Sequence, residues 1–144
     1  MSLKTYDPKS VMVLVGGVPM SGFSEGTFVT VARDEDSFSK VTGADGETSR
    51  AKRNNRSGSM TLVLHQTSPS NDVLSALALA DELANAGVVP VMVKDASGRS
   101  LLFSALGWIK KPADASFSVE IEDREWVLDL ADLDMLVAGN AVEG

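Results

Sequence analysis

The chain has 144 residues, no cysteine, one histidine and a formal net charge of −7. This length suits a single domain over residues 1–144 with a sizeable core, and the missing cysteines exclude disulfides and thiolate chemistry. No run is apolar enough to span a membrane, and residues 1–20 show no basic segment leading into an apolar one; assembly in a cytoplasm is expected.

Residues 1–9 are polar and contain Pro8, an irregular lead-in. A short β-rich run over 10–15 ends at Gly16-Gly17. A second extended piece over 18–23 contains Pro19, which points to an edge or a turn because proline cannot donate to a ladder. After a turn at 24–26, Val29 and Val31 alternate with Phe28 and Thr30, the period of a strand over 27–33.

Residues 37–41 form the next predicted strand. The Gly43-Ala-Asp-Gly46 run then supplies residues that tolerate positive φ in a tight connection, and 47–53 return. Both faces of this hairpin are polar, so the segment 37–56 is predicted to project from the core. Its returning arm and exit carry Arg50, Lys52, Arg53 and Arg56, with no acid between 49 and 66.

The strongest pattern follows. Met60, Leu62 and Leu64 point one way while Thr61, Val63 and His65 point the other, a strand with one strongly apolar face. Thr67-Ser-Pro-Ser70 breaks it and opens a helix predicted over 70–86, with Ser68 or Ser70 as N-cap, Asp72 in the first turn and Gly87 just beyond the end. Val73, Leu74, Leu77, Ala80, Leu83 and Ala84 form one apolar face. Ala76, Leu79 and Ala86 cover much of the remainder, and a helix so poor in polar surface is usually covered twice. Leu79 is therefore a candidate contact with another subunit.

Strands are predicted over 88–94 and 99–109, joined by the Asp95-Ala-Ser-Gly98 turn. Phe117, Val119 and Ile121 then alternate with Ser118, Glu120 and Glu122, predicting a further strand. The apolar parity changes afterwards to Trp126, Leu128 and Leu130, which predicts a bulge or tight turn at 123–125. Residues 131–135 alternate apolar with acidic, and 138–144 read as a small-residue tail. In all, about ten short strands and one helix are expected.

Reactive groups are scarce. His65, the sole histidine, rules out multi-histidine metal sites and has no Gly-x-Ser-x-Gly elbow to serve, so it reads as a half-buried strand residue. Asp34 and Asp36 start like a calcium loop, but Phe38 and Ser39 stand where a ligand and the turn glycine belong, and Asp129, Asp132 and Asp134 have the wrong spacing. Gly16-Gly17 leads into neither a helix nor a Lys-Ser/Thr pair. No enzyme activity, cofactor or metal is expected.

Charge is unevenly placed. Residues 114–144 hold nine acids against Arg124 alone, a local balance of −8 within the total of −7, which leaves residues 1–113 at +1. A basic hairpin and an acidic C-terminal third on one chain suit head-to-tail association. Glu120 and Glu122, facing away from the apolar residues of their predicted strand, are candidates for the acidic lining of a bore. Such a wall repels nucleic acid and lets it slide.

The order of parts resembles the tail tube proteins of contractile-tailed bacteriophages. The residues that carry it are Gly43-Ala-Asp-Gly-Glu47, Ser57-Gly58 before the alternating strand, and Gln66-Thr-Ser-Pro-Ser-Asn-Asp-Val-Leu-Ser75 entering the helix. The resemblance covers nearly the whole chain and implies a mainly β, rolled β-sandwich or barrel-like fold with one flanking helix. It further implies hexameric rings stacked into a hollow tube in the virion tail, a bridging hairpin, tail sheath and baseplate or initiator partners, and genomic DNA passing through without specific binding. The alternative is a monomeric ligand-binding β-sandwich module, which would need a concave aromatic site from two tryptophans and one tyrosine far apart in sequence.

Overall fold

In the computed structural model, which describes Leu3 and residues 5–139, the chain is a rolled antiparallel sheet with one helix. A single 3-10 turn over Pro8–Ser10 precedes β1 (Val11–Val15) and the two-residue β2 (Val18–Pro19). Then come β3 (Val29–Arg33), β4 (Phe38–Thr42), β5 (Thr48–Lys52) and β6 (Gly58–His65). Helix α1 (Ser70–Ala84) is followed by β7 (Val89–Asp95), β8 (Leu101–Lys111), β9 (Asp123–Leu130) and β10 (Leu133–Leu136).

The main sheet runs β2-β1-β7-β8-β9-β6-β3, and β10 pairs with the first half of β8. β6 sits where its pattern requires. Its residues alternate buried and half-buried, it pairs along its full length with β9, and its first half pairs with β3. The strip 18–24 closes the roll: Met20 N–H donates to the Val13 carbonyl, and His65 N–H donates to that of Gly22. The core enclosed in this way gathers Val13 and Val15, Met60, Leu62 and Leu64, Val91 and Val93, and Trp126, Leu128 and Leu130.

Helix α1 closes one side of that core with Leu74 and Ala78 and packs along β8. Its entry is welded by side chains. Ser68 Oγ accepts from Ser70 N–H at 3.2 Å, so Ser68 does the capping although Pro69 occupies the cap position. Asn71 Nδ2 donates to the carbonyls of His65 and Ser68, while its Oδ1 accepts from the buried Trp126 indole at 2.9 Å. One amide thus ties the β6–α1 corner to β9.

Several expectations need correction. The helix ends at Asn85, which takes the left-handed conformation (φ 52°) because asparagine tolerates it, rather than at Gly87. Gly87 instead allows close approach, since a Cβ there would lie 2.5 Å from Asp81 Cβ. The buried helix face centres on Leu74 and Ala78, which leaves Leu83 outward at 77% exposure. The strand expected over 18–23 shrinks to β2 and a lone bridge from Phe23 to Leu64. No strand forms over 117–122, and 123–125 is neither bulge nor turn but the regular start of β9. The change of parity arises because the first of the two alternating runs is not in the sheet at all. Residues 140–144 of the expected tail lie outside the described residues.

Two substitutions probe this architecture. Gly58 opens β6 where a Cβ would stand 2.5 Å from both the Ala32 carbonyl oxygen and Leu133 Cδ2. Gly58→Ala is expected to destabilise the monomer by about 1–3 kcal/mol through overpacking. Asn71→Leu leaves the buried Trp126 N–H without its acceptor, at a similar cost of about 1–3 kcal/mol. Denaturant unfolding of dilute protein measures both, and a wild-type midpoint for either contradicts its assigned role.

Candidate assembly surfaces

The hairpin β4–β5 forms a two-stranded sheet of its own, joined to the main sheet by no ladder. Its tip is a built turn: Gly43 N–H donates to the Glu47 carbonyl, Glu47 N–H donates to Asp45 Oδ1, and Gly46 takes φ 85°. The register places Lys40 directly opposite Arg50 and Phe38 opposite Lys52. Strand alternation therefore gathers Lys40, Arg50 and Lys52 on one face, with the Arg50 guanidinium 4.3 Å from the centre of the Phe38 ring. Like charges directly opposed weaken a ribbon, and a lone two-stranded ribbon is marginal in water. Lys40 and Phe38 were not among the sequence candidates, and counting strand partners across the Gly43–Gly46 turn is the signal that finds them.

Of the four basic candidates, Arg50 and Lys52 share that face, while Arg53, just past β5, lines a groove with Asp34, Glu35 and Asp36. Arg50, Lys52 and Arg53 are exposed on β5 and its exit, and none forms a salt bridge among the described residues. Arg56 is different. Its guanidinium pairs within the chain, Nε at 3.3 Å from Asp132 Oδ1 and Nη2 against Asp134 Oδ1, pinning the hairpin base to β10.

The helix offers another surface. Leu79 points outward, and with Ala76 and Leu83 it forms an uncovered apolar stripe at helical spacing. A larger uncovered surface lies on the outer face of β1, β7, β8 and β10. There Leu14, Met92 and Phe103 stand in one cross-strand row that ends on Asp134 of β10, and Met12, Leu101 and Leu136 in the next, interrupted by Lys94. The outer face of β9 and β6 has the opposite character. Asp123, Glu125 and Asp129 project there beside Ser59, Thr61 and His65, with the half-buried Val63 and Val127 among them.

The candidate lumen acids sit elsewhere. Glu120 and Glu122 belong to the loop between β8 and β9, not to a strand. Glu122 accepts from the Ser116 hydroxyl, and its backbone exchanges hydrogen bonds with Gln66 through Gln66 Oε1 (3.1 Å) and Gln66 N–H (2.9 Å). The Ser116 and Ser118 hydroxyls, helped by the Arg124 charge, hold the Glu122 carboxyl below the usual carboxylate range. Alternation alone suggested the loop's acids; the acids that do share a sheet face, Glu125 and Asp129, alternate with Trp126 and Leu128 in the same sequence.

His65 meets Asp123 (Nδ1 to Oδ1, 3.4 Å), whose other oxygen accepts from Ser24 Oγ at 2.8 Å. The carboxylate stands between serine and histidine, so this trio lacks the serine–histidine hydrogen bond that activates a nucleophile. Among the described residues no group of three or more His, Asp or Glu side chains is placed to hold a metal ion.

Comparison with known proteins gives this surface a context. A structural protein of Pseudomonas phage KPP10, ORF10, is 35% identical over 94% of this chain and 83% of its own length. The fold is similar to the sheath/tube terminator of an extracellular contractile injection system, with a TM-score of 0.65 at 14% identity over 94% of this chain and 99% of that one. It is also similar to a chain of that system's sheath–tube complex, with a TM-score of 0.61 at 13% identity over 92% and 91% of the two chains. The tube-terminating cap of the anti-feeding prophage scores 0.62 at 11% identity, covering 96% and 95%. The family described as the bacteriophage PhiTE tail tube protein matches residues 10–138. This chain belongs to the bacteriophage PhiTE tail tube protein family.

Proposed function

We propose that this structural protein of the phage tail closes into hexameric rings that stack into a hollow tube and conduct DNA without covalent chemistry. The observation that carries this reading is the split between the outer faces of its one rolled sheet. The face of β1, β7 and the first half of β8 is mainly apolar, broken by Lys94 and bordered by Asp134 on β10, and the outward stripe of α1 is apolar too. Surface of that kind is stable when neighbouring copies cover it. The face of β9 and β6 carries carboxylates and stays wet. Turned toward the axis, six copies of it form a negative wall that repels phosphates and lets DNA pass without sticking.

The bare cationic face of the β4–β5 hairpin reaches an adjoining subunit or ring, where acids of the C-terminal third receive it. Arg50 and Lys52 make that contact, with Lys40 beside them and Arg53 at its margin, while Arg56 fixes the hairpin's base. A contractile sheath covers the outside, a baseplate or initiator complex starts the tube, and assembly takes place in the host cytoplasm. The alternative of a monomeric ligand-binding module has less support, because Trp108 and Trp126 lie on β8 and β9 with Trp126 buried in the core.

Negative-stain electron microscopy across a concentration series is expected to show rings and hollow tubes. Monodisperse particles at every concentration and in the presence of the initiator contradict the reading, and rings that never stack indicate a terminator instead. The triple variant Arg50→Ser, Lys52→Ser, Arg53→Ser is expected to keep the wild-type melting temperature but give shorter tubes, as does raised salt. Arg56→Ser is expected to lower stability by no more than about 1 kcal/mol, the range of an exposed pair. Unchanged tube length in the triple variant removes the hairpin charges from the stacking mechanism.

A further inference from the structure

The segment 117–122 has the period of a strand but folds back as a loop, bent at Val119–Glu120 and closed by the Ser116 hydroxyl on the Glu122 carboxylate. Phe117, Val119 and Ile121 alternate with Ser118, Glu120 and Glu122, yet no ladder forms and the three apolar side chains stand in water, at 79%, 104% and 65% exposure. Its C-terminal end is tethered: Glu122 is bonded to Gln66 beside the end of β6. Before it, the Phe117 ring stands 5.2 Å from the Arg124 guanidinium. Three exposed apolar residues in strict alternation become one uncovered strand face when this loop straightens.

An edge able to take such a strand exists on the same fold. β3 is bonded to β6 through every second residue, as the Val63 N–H to Phe28 carbonyl bond and the Asp34 N–H to Ser57 carbonyl bond show at its two ends. By the antiparallel phase, Val29 and Val31 aim their N–H and C=O groups away from β6, and among the described residues nothing pairs with them. Their side chains lie on the core side and are only half-buried. Past the start of β3 lies an open groove of about 510 Å³, lined by Val11, Phe23 and Phe28 with Lys9, Ser24 and Glu25. Along 29–32 the edge carries no charge, proline or bulge, the devices that normally guard an open edge.

The two incomplete parts match. Resting on the assembly reading above, we infer that residues 117–121 of one copy straighten and add as a strand to the free edge of β3 in a second copy. Main-chain hydrogen bonds to Val29 and Val31 supply the pairing, and Phe117, Val119 and Ile121 extend the half-covered apolar row over the partner's core. Ser118 and Glu120 then face outward beside Thr30 and Ala32. Within one chain the pairing is obstructed, because β9 and β6 lie between the tether and β3 in the strand order, and residues 22–24 flank β6 beyond β3. A second copy has no such obstacle, and a segment of one subunit on an edge of the next is a heterologous contact, the type that closes rings.

The absence of cysteine makes the test clean. Single variants Thr30→Cys and Ala32→Cys are mixed pairwise with Ser118→Cys and Glu120→Cys, all at exposed positions, and oxidised under assembling conditions. Disulfide-linked dimers are expected from at least one mixed pair, and not from either variant alone or from mixtures too dilute to assemble. Because each chain holds one thiol, every dimer is intermolecular. Rings or tubes that form with no dimer in any pair overturn this inference and leave the assembly reading intact. A wild-type chain that never assembles overturns both, and equal dimer yields from single variants alone overturn the pairing.

Discussion

A β-strand has two faces, and in this chain the enclosed core can satisfy only one of them. Rolling the sheet until the strip 18–24 bridges β1 and β6 hides Met60, Leu62, Leu64 and their partners on β1, β7 and β9. Everything on the other face of each strand must then be polar or be covered from outside. β9 and β6 answer with carboxylates and hydroxyls; β1, β7, β8 and β10 answer with Leu14, Met92 and Phe103. This second answer makes sense for a subunit and poor sense for a free monomer. On the proposed assembly, the neighbours are called for by the same alternation that builds the core.

The same constraint explains the helix and the hairpin. Helix α1 spends Leu74 and Ala78 on the core and still presents Ala76, Leu79 and Leu83 outward. The hairpin spends almost nothing on the core, and what holds it in place is polar: Arg56 on Asp132 and Asp134, and Arg33 on the Leu133 carbonyl at 2.8 Å. Its cations are thereby separated into an anchoring residue and a group free to meet another molecule. A reading of charge alone treats all four as equivalent, although one of them is already engaged.

Local pattern showed the existence of most elements. β6 and α1 were legible because strict alternation gave way at Pro69 to helical spacing, and the β4–β5 hairpin because two polar arms flank a glycine-rich turn. The placement of side chains was less legible. The segment 117–122 has the period of a strand because period reports which face is apolar, not whether a partner lies alongside. The neighbouring run at 123–130 has the opposite parity and does enter the sheet, so an assignment of lumen acids from the first run chose Glu120 and Glu122, where the sheet face itself carries Asp123, Glu125 and Asp129. The helix end shifted because an asparagine can take the left-handed cap that glycine usually fills.

The most direct test of the account is a cryo-electron microscopy reconstruction of the assembled tube, read for the position of two side chains. Glu125 and Asp129 on β9 are predicted to face the axis, with Met92 and Phe103 buried between neighbouring subunits. A tube whose outer wall carries Glu125 and Asp129, or whose bore exposes Met92 and Phe103, contradicts the account at its centre.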